Sequence, residues 1–219
     1  MTPRGGVSPS SKQVKLGENY GDLPTPTRTG YNFGGWYLDG TKMESTTQNT
    51  TIGDHTLSAN WVAIPTTITT TSNDVQYICT QRNAGSGSTT VTAGGGGGKW
   101  VYSIVSANSY VLEGDTRSTP PDPSITLSNT GETTSAVTVT STGLVADGYY
   151  AIMDARCVLR GEGPYYYIAT IRATSVYNGT YAEVRIRFRW NEKKIAYYGA
   201  KSALGAGGTA IDIDTLIKP

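Results

Sequence analysis

The chain has 219 residues, enough for one larger and one smaller domain, each with a modest core. Its 18 Lys and Arg nearly balance 17 Asp and Glu, so no global field draws it to nucleic acid or to an anionic membrane surface. Thr, Ser, Gly and Tyr are abundant while Phe and Met are scarce, a mix that suits short strands joined by tight turns and disfavours long helices, so an all-β fold is expected.

The N-terminal "MTPRGGVSPS" lacks the apolar core of a signal peptide, and no stretch of the chain is apolar enough to insert into a membrane. Either a leader is missing from this sequence, or the chain reaches the outside by another route, such as assembly into a virus particle released by lysis. The first segment runs from about residue 5 to Trp61. "KQVKL" places Val14 and Leu16 on one face of a short strand, Gly17 and "GDLP" turn the chain, and "PTPTRTGY" is an extended crossing held by its prolines. "GYNFGGWYLDG", residues 30–40, packs four aromatics and four glycines into eleven positions. Simple alternation points Tyr31, Phe33 and Gly35 one way and Asn32, Gly34 and Trp36 the other, with "LDG" signalling a hairpin. In "HTLSANW", Leu57, Ala59 and Trp61 alternate with Thr56, Ser58 and Asn60. Apolar surface is scarce in so small a segment, so Tyr31, Phe33, Trp36 and Trp61 are read as its core, and Tyr37 as the ring that faces out.

"GENYGDLPTPTRTGYNFGGWYLDG" followed by "TTIGDHTLSANW" closely resembles the Listeria–Bacteroides repeat, or internalin B-repeat. The resemblance implies a small β-grasp-like module of a surface protein, acting as stalk, spacer or protein-contact unit without catalysis. It also implies an apolar strand ahead of the "GG" turn. Only Met1 to Arg4 precede Gly5 and Gly6 here, so that strand is truncated or is supplied by another segment or subunit.

The composition shifts to Thr and Ser after Trp61, which makes 1–61 the module, 62–66 a linker and 67–219 a second region. There "TTITTT", "VQYICTQ", "KWVYSIVS", "SITLS", "SAVTVTS", "YYAIMDARCVL", "YYYIATIRATSVY", "AEVRIRFRWN" and "KKIAYYGA" read as strands at the spacing of a β-sandwich. "SNTGETTSAVTVTSTGLVADGYYAIMDARC" loosely resembles bacterial and phage immunoglobulin-like domains. The fold class expected is therefore all-β, a β-grasp-like module followed by an immunoglobulin-like β-sandwich. "RSTPPDPS", 117–124, either divides the second region in two or is one long loop. In "EVRIRFRW", Val184, Ile186, Phe188 and Trp190 form one face, and Glu183, Arg185, Arg187 and Arg189 the other.

No residue pattern demands catalysis or a cofactor. His55 is the single histidine and lies inside the repeat beside a turn, a structural position. Cys79 and Cys157 lie far apart in sequence, as one disulfide or two thiols, and no metal-ligand spacing appears. "GGGGGK", 94–99, is not a phosphate loop, because Lys99 is followed by Trp100 and a strand; it reads as a flexible loop, and order there would point to contacts that offset the backbone entropy lost. Asp147, Asp154, Glu162 and Glu183 share no spacing that pairs them for glycoside hydrolysis. "DID", Asp212 to Asp214, lacks the rest of a calcium loop.

Contact chemistry is better represented. Tyr149, Tyr165, Tyr166 and Tyr177 lie near strand ends, where rings with polar tips suit protein or sugar surfaces. Arg185, Arg187 and Arg189, extended by Arg172, form a stripe whose like charges require acidic partners on an adjacent strand or another subunit. With Tyr37 these form the candidate contact surface. The reading is a non-enzymatic protein of a bacteriophage virion or bacterial surface, with a decoration, fibre, spacer or adhesion role, that contacts proteins in an assembly or on a host. Self-association is left open, and no nucleic acid or membrane insertion is expected. The alternative is a glycan-binding accessory module of a larger secreted enzyme.

Overall fold

The computed structural model describes residues 5–81, 84–111, 124–142 and 165–190, and they are all-β, with no helix among them. The chain divides into two compact units. The first comprises Met1–Thr67 with Gly94–Val101 and Thr174–Tyr181; the second comprises Ile68–Ala93, Tyr102–Ala173 and Ala182–Pro219.

The first unit holds a three-stranded antiparallel sheet in the order β2-β1-β3, built from β1 (Tyr31–Leu38), β2 (Thr41–Met43) and β3 (Ser58–Ala63). Asp39 and Gly40 both adopt positive φ, 48° and 83°, which closes the β1/β2 hairpin as a two-residue turn with Leu38 opposite Thr41. The strict alternation read from the sequence does not hold along β1. Its register against β3 slips between Phe33↔Trp61 and Gly35↔Asn60, a bulge that leaves Gly34 unmatched. The extra residue brings Phe33 and Trp36 to the same side, with ring centroids 5.5 Å apart, and Phe33 meets Trp61 at the same distance. Gly35 takes φ +120°, a conformation side-chain-bearing residues rarely adopt.

The core of this unit is Tyr20, Trp36, Met43, Leu57 and Ala59, with Val14, Leu23, Phe33, Leu38 and Trp61 packed around it. Trp36 is 1% exposed and donates its indole N–H to Pro24 O at 2.8 Å. Residues 12–16 form no ladder, so the strand expected there is absent: Val14 packs on the core, while Leu16 is exposed. The nearby chain is instead held by single contacts, the Asn19↔Gln48 bridge and Tyr20 N–H to Thr47 O at 2.9 Å. β3 is the outermost strand on its side of the sheet.

The segment 62–66, read as a linker, contains the end of β3, Ile64, Pro65 and the first residue of β4 (Thr66–Thr70). β5 (Asp74–Gln81), β6 (Ala84–Gly95), β7 (Trp100–Val111), β8 (Ser124–Leu127), β9 (Glu132–Thr133), β10 (Val137–Thr142), β11 (Tyr165–Ser175) and β12 (Tyr181–Trp190) follow. They form one nine-stranded sheet in the order β8-β10-β6-β5-β12-β11-β7-β9, with β4 on β6. β5 and β12 pair in parallel, Val75 opposite Phe188. This architecture is compatible with the immunoglobulin-like sandwich that the sequence suggests. Most of β6 lies in a stretch to which the sequence assigns no element: Thr89, Val91 and Ala93 alternate inward and are buried despite the glycines around them.

In the second unit alternate residues of β10, β11 and β12 turn inward. Val137, Val139 and Ser141 on β10, Tyr167, Ala169, Ile171 and Ala173 on β11, and Ile186 and Phe188 on β12 are all buried. Tyr102 is buried too, and its hydroxyl accepts the Ala93 N–H at 2.8 Å.

Gly96–Gly98 form a tight turn rather than a flexible loop, a correction with a clear cause. Gly96 N–H reaches Pro65 O at 3.2 Å, Lys99 O accepts the Val176 N–H, and a Cβ on Gly97 would lie within 2.9 Å of Gly30 and Tyr177. These contacts, all inside the first unit, offset the entropy of ordering glycine. Cys79 lies on β5 with its backbone opposite Gly85, whereas Cys157, the 117–124 boundary, "YYAIMDARCVL" and "KKIAYYGA" fall outside the described residues, 124 apart.

Candidate functional site

The first unit carries an open groove of about 630 Å³, lined by residues 5–7, 25–29, 31–33 and Trp61. Its construction follows from "PTPTRTGY". Pro24 and Pro26 keep the crossing extended, and Gly30, at φ +82°, turns it back so that Tyr31 N–H bonds Arg28 O at 3.1 Å. That return places the Arg28 guanidinium 3.9 Å from the centroid of the Tyr31 ring. The opposite wall is tied on by Val7 N–H to Thr27 O at 3.2 Å. Half-buried Phe33 and Trp61 add aromatic surface, and three threonines add hydroxyls. Among the described residues that line the groove, Arg28 is the one with a charged side chain. A groove of this kind suits a ligand that is anionic and has a flat apolar face.

Sequence reasoning passed over this groove and treated residues 24–31 as a connection. The legible signal was an Arg three residues before a Tyr across a glycine, which a tight return stacks together.

The predicted contact residues are divided between the two units. Tyr37, on β1, is half-buried and its backbone pairs with Lys42. Tyr177 is 44% exposed, at the turn after β11, and covers Gly30 and Gly97. Both belong to the first unit. In the second unit, half-buried Tyr166 stacks on Tyr110 of the neighbouring strand, with centroids 5.3 Å apart and planes 11° from parallel. Tyr149 lies outside the described residues, and for Tyr165 and Arg189 the backbone alone is described.

The arginine stripe finds acidic partners on adjacent strands. Arg172 donates to Glu183 Oε1 from Nη2 at 2.6 Å and from Nε at 2.8 Å, and Arg187 Nε donates to Asp74 Oδ1 at 3.0 Å. Arg185 is exposed on β12 between Glu183 and Arg187. Glu183 is thereby committed to an ion pair.

His55 is structural. Its Nε2 lies 2.6 Å from the Tyr20 hydroxyl and its Nδ1 3.2 Å from Gly53 O. A carbonyl can only accept, so Nδ1 carries the proton and Nε2 accepts from Tyr20. Burial raises the Tyr20 pKa above its ordinary value, which keeps the hydroxyl a donor. Among the described residues no three His, Cys, Asp or Glu side chains gather as a metal site.

A bulged aromatic β-sheet closed by a two-residue turn and pinned by Trp36 makes the first unit a small all-β module. Residues 2–60 match the model of the Listeria-Bacteroides repeat domain, so the first unit carries that repeat. No curated protein matches the chain. Repeats of this family occur in extracellular and surface proteins.

Proposed function

We propose that this chain is a non-enzymatic contact protein of a bacteriophage virion or bacterial surface, in which the repeat acts as a decoration, spacer or adhesion module. The observation that carries the reading is the repeat at residues 2–60. The side chains that look reactive support it. His55 and Tyr20 satisfy each other, and Glu183 is held by Arg172. Partners are proteins of a larger assembly or of a host surface, and Tyr37, Tyr166, Tyr177, Arg185 and Arg187 remain the contact candidates on described side chains. Fractionation of a producing culture with an antibody to the chain tests this. Recovery with released particles or the outer cell surface is expected, and recovery confined to the cytosol overturns it.

A second reading, glycan binding, is favoured by the groove. Arg28 over Tyr31, with Phe33 and Trp61 beside it, offers a cation and ring faces to an acidic sugar. A glycan array should show binding to uronate-containing but not neutral polymers, lost in Arg28→Gln. Binding that persists in Arg28→Gln sinks this reading and leaves the first untouched.

A further inference from the structure

The sequence contains a single Asn-Gly pair, Asn178–Gly179. Such a pair is unusually open to attack by its own backbone, because no Cβ hinders the glycine nitrogen. In the fold it forms the turn between β11 and β12, within the first unit. Asn178 Nδ2 donates to Gly30 O at 2.6 Å and to Ile64 O at 2.8 Å, spending both protons on carbonyls beside β1 and β3. Its Oδ1 lies 3.0 Å from Thr180 N and 2.7 Å from Thr180 Oγ1. Gly179 N–H donates to Ser175 O at 3.1 Å. Both groups needed for ring closure, the carboxamide and the attacking nitrogen, are therefore engaged.

We propose that Asn178 is a self-modification site which the closed turn protects, and that conversion there releases the turn from Gly30 and Ile64 in one direction. Once the turn opens, hydroxide removes the Gly179 amide proton and that nitrogen attacks Cγ of Asn178. The new N–Cγ bond forms, the Cγ–Nδ2 bond breaks, and Nδ2 takes a proton from water and leaves as ammonia. Water then opens the cyclic imide at either carbonyl, giving aspartate or isoaspartate with no change in oxidation state. Either product puts a carboxylate where an amide had donated to two carbonyl oxygens. Acceptor then faces acceptor, and the turn does not reclose in the same geometry.

Peptide mapping by mass spectrometry, on full-length protein held at mildly alkaline pH with and without denaturant, tests this. Conversion at Asn178 is expected to be at least about tenfold slower in the native protein, the factor that protection by one or more net hydrogen bonds supplies. Thr180→Val removes the hydroxyl that contacts Oδ1 while leaving the Asn-Gly pair intact, and should speed native conversion by up to roughly tenfold. The converted fraction, separated by ion exchange, should lose hydrogen-exchange protection at the Ile64 amide, which bonds Gly30 O. Equal native and denatured rates, a Thr180→Val rate equal to that of the parent, or full Ile64 protection in the converted fraction would each overturn the proposal.

Discussion

Trp36 shows how much one residue carries in a small core. Its ring is 1% exposed, sits against Phe33, and ties the sheet to the proline crossing through Pro24 O. Trp36→Ala is expected to cost about 3–5 kcal/mol, through lost burial and an unfilled cavity. Chemical denaturation of the full chain checks it, as an early transition in the first unit. Ser141 gives the opposite case. It is fully buried on β10, its hydroxyl makes no hydrogen bond, and its neighbours in alternation, Val137 and Val139, are apolar. A buried polar group without a partner carries its full desolvation penalty, so Ser141→Ala should stabilise the protein by about 1 kcal/mol. A loss of stability on that change would show that the hydroxyl has a partner.

At the scale of elements, the bulge in β1 decides whether the repeat's aromatics share one side. Gly35 at φ +120° is the residue that permits it. A Cβ there would meet the flexible end of Lys42, which can move, so backbone strain sets the effect rather than collision. Gly35→Ala should therefore cost about 1–3 kcal/mol, measured as a shift in denaturation midpoint. The sequence showed that β1, the Asp39-Gly40 turn and β3 exist, because each has a local signature. It did not show the bulge, since a register slip depends on the partner strand. The same limit applies to β6: its glycines argue against a strand, and its pairing with β10 and β4 is what makes Thr89, Val91 and Ala93 core residues. Val14 and Leu16 erred the other way, as an alternating pair to which the fold gives no ladder partner. Of the candidate surface, the need for acids near the arginines was legible as plain electrostatics. The groove was not, because it depends on Arg28 returning over Tyr31.

At the scale of the whole molecule, charge contributes little to stability and buried hydroxyls contribute more to its pH response. The Arg172–Glu183 and Arg187–Asp74 pairs are each about a third to a half exposed, and such pairs are worth about 0–1 kcal/mol, so salt should barely shift the denaturation midpoint. Alkaline pH acts differently. Each unit buries a tyrosine whose pKa lies above the ordinary value, 10.0 in the unfolded chain: Tyr20 in the first and Tyr102 in the second. Desolvation is the leading cause for both, and for Tyr102 the Ala93 N–H offsets part of it. Because the folded state holds these protons more tightly, their contribution is complete below pH 10 and declines as pH rises through the folded pKa values, when the unfolded chain has already lost them. Thermal melts should therefore be flat with respect to these groups up to about the ordinary tyrosine range and fall steeply above it. Tyr102→Phe removes one titrating group and leaves the Ala93 N–H unpaired in the core, so it should lower stability at neutral pH by about 1–3 kcal/mol while flattening the alkaline decline. A decline equally steep in Tyr102→Phe and in the parent would show that the second unit's alkaline sensitivity has another source.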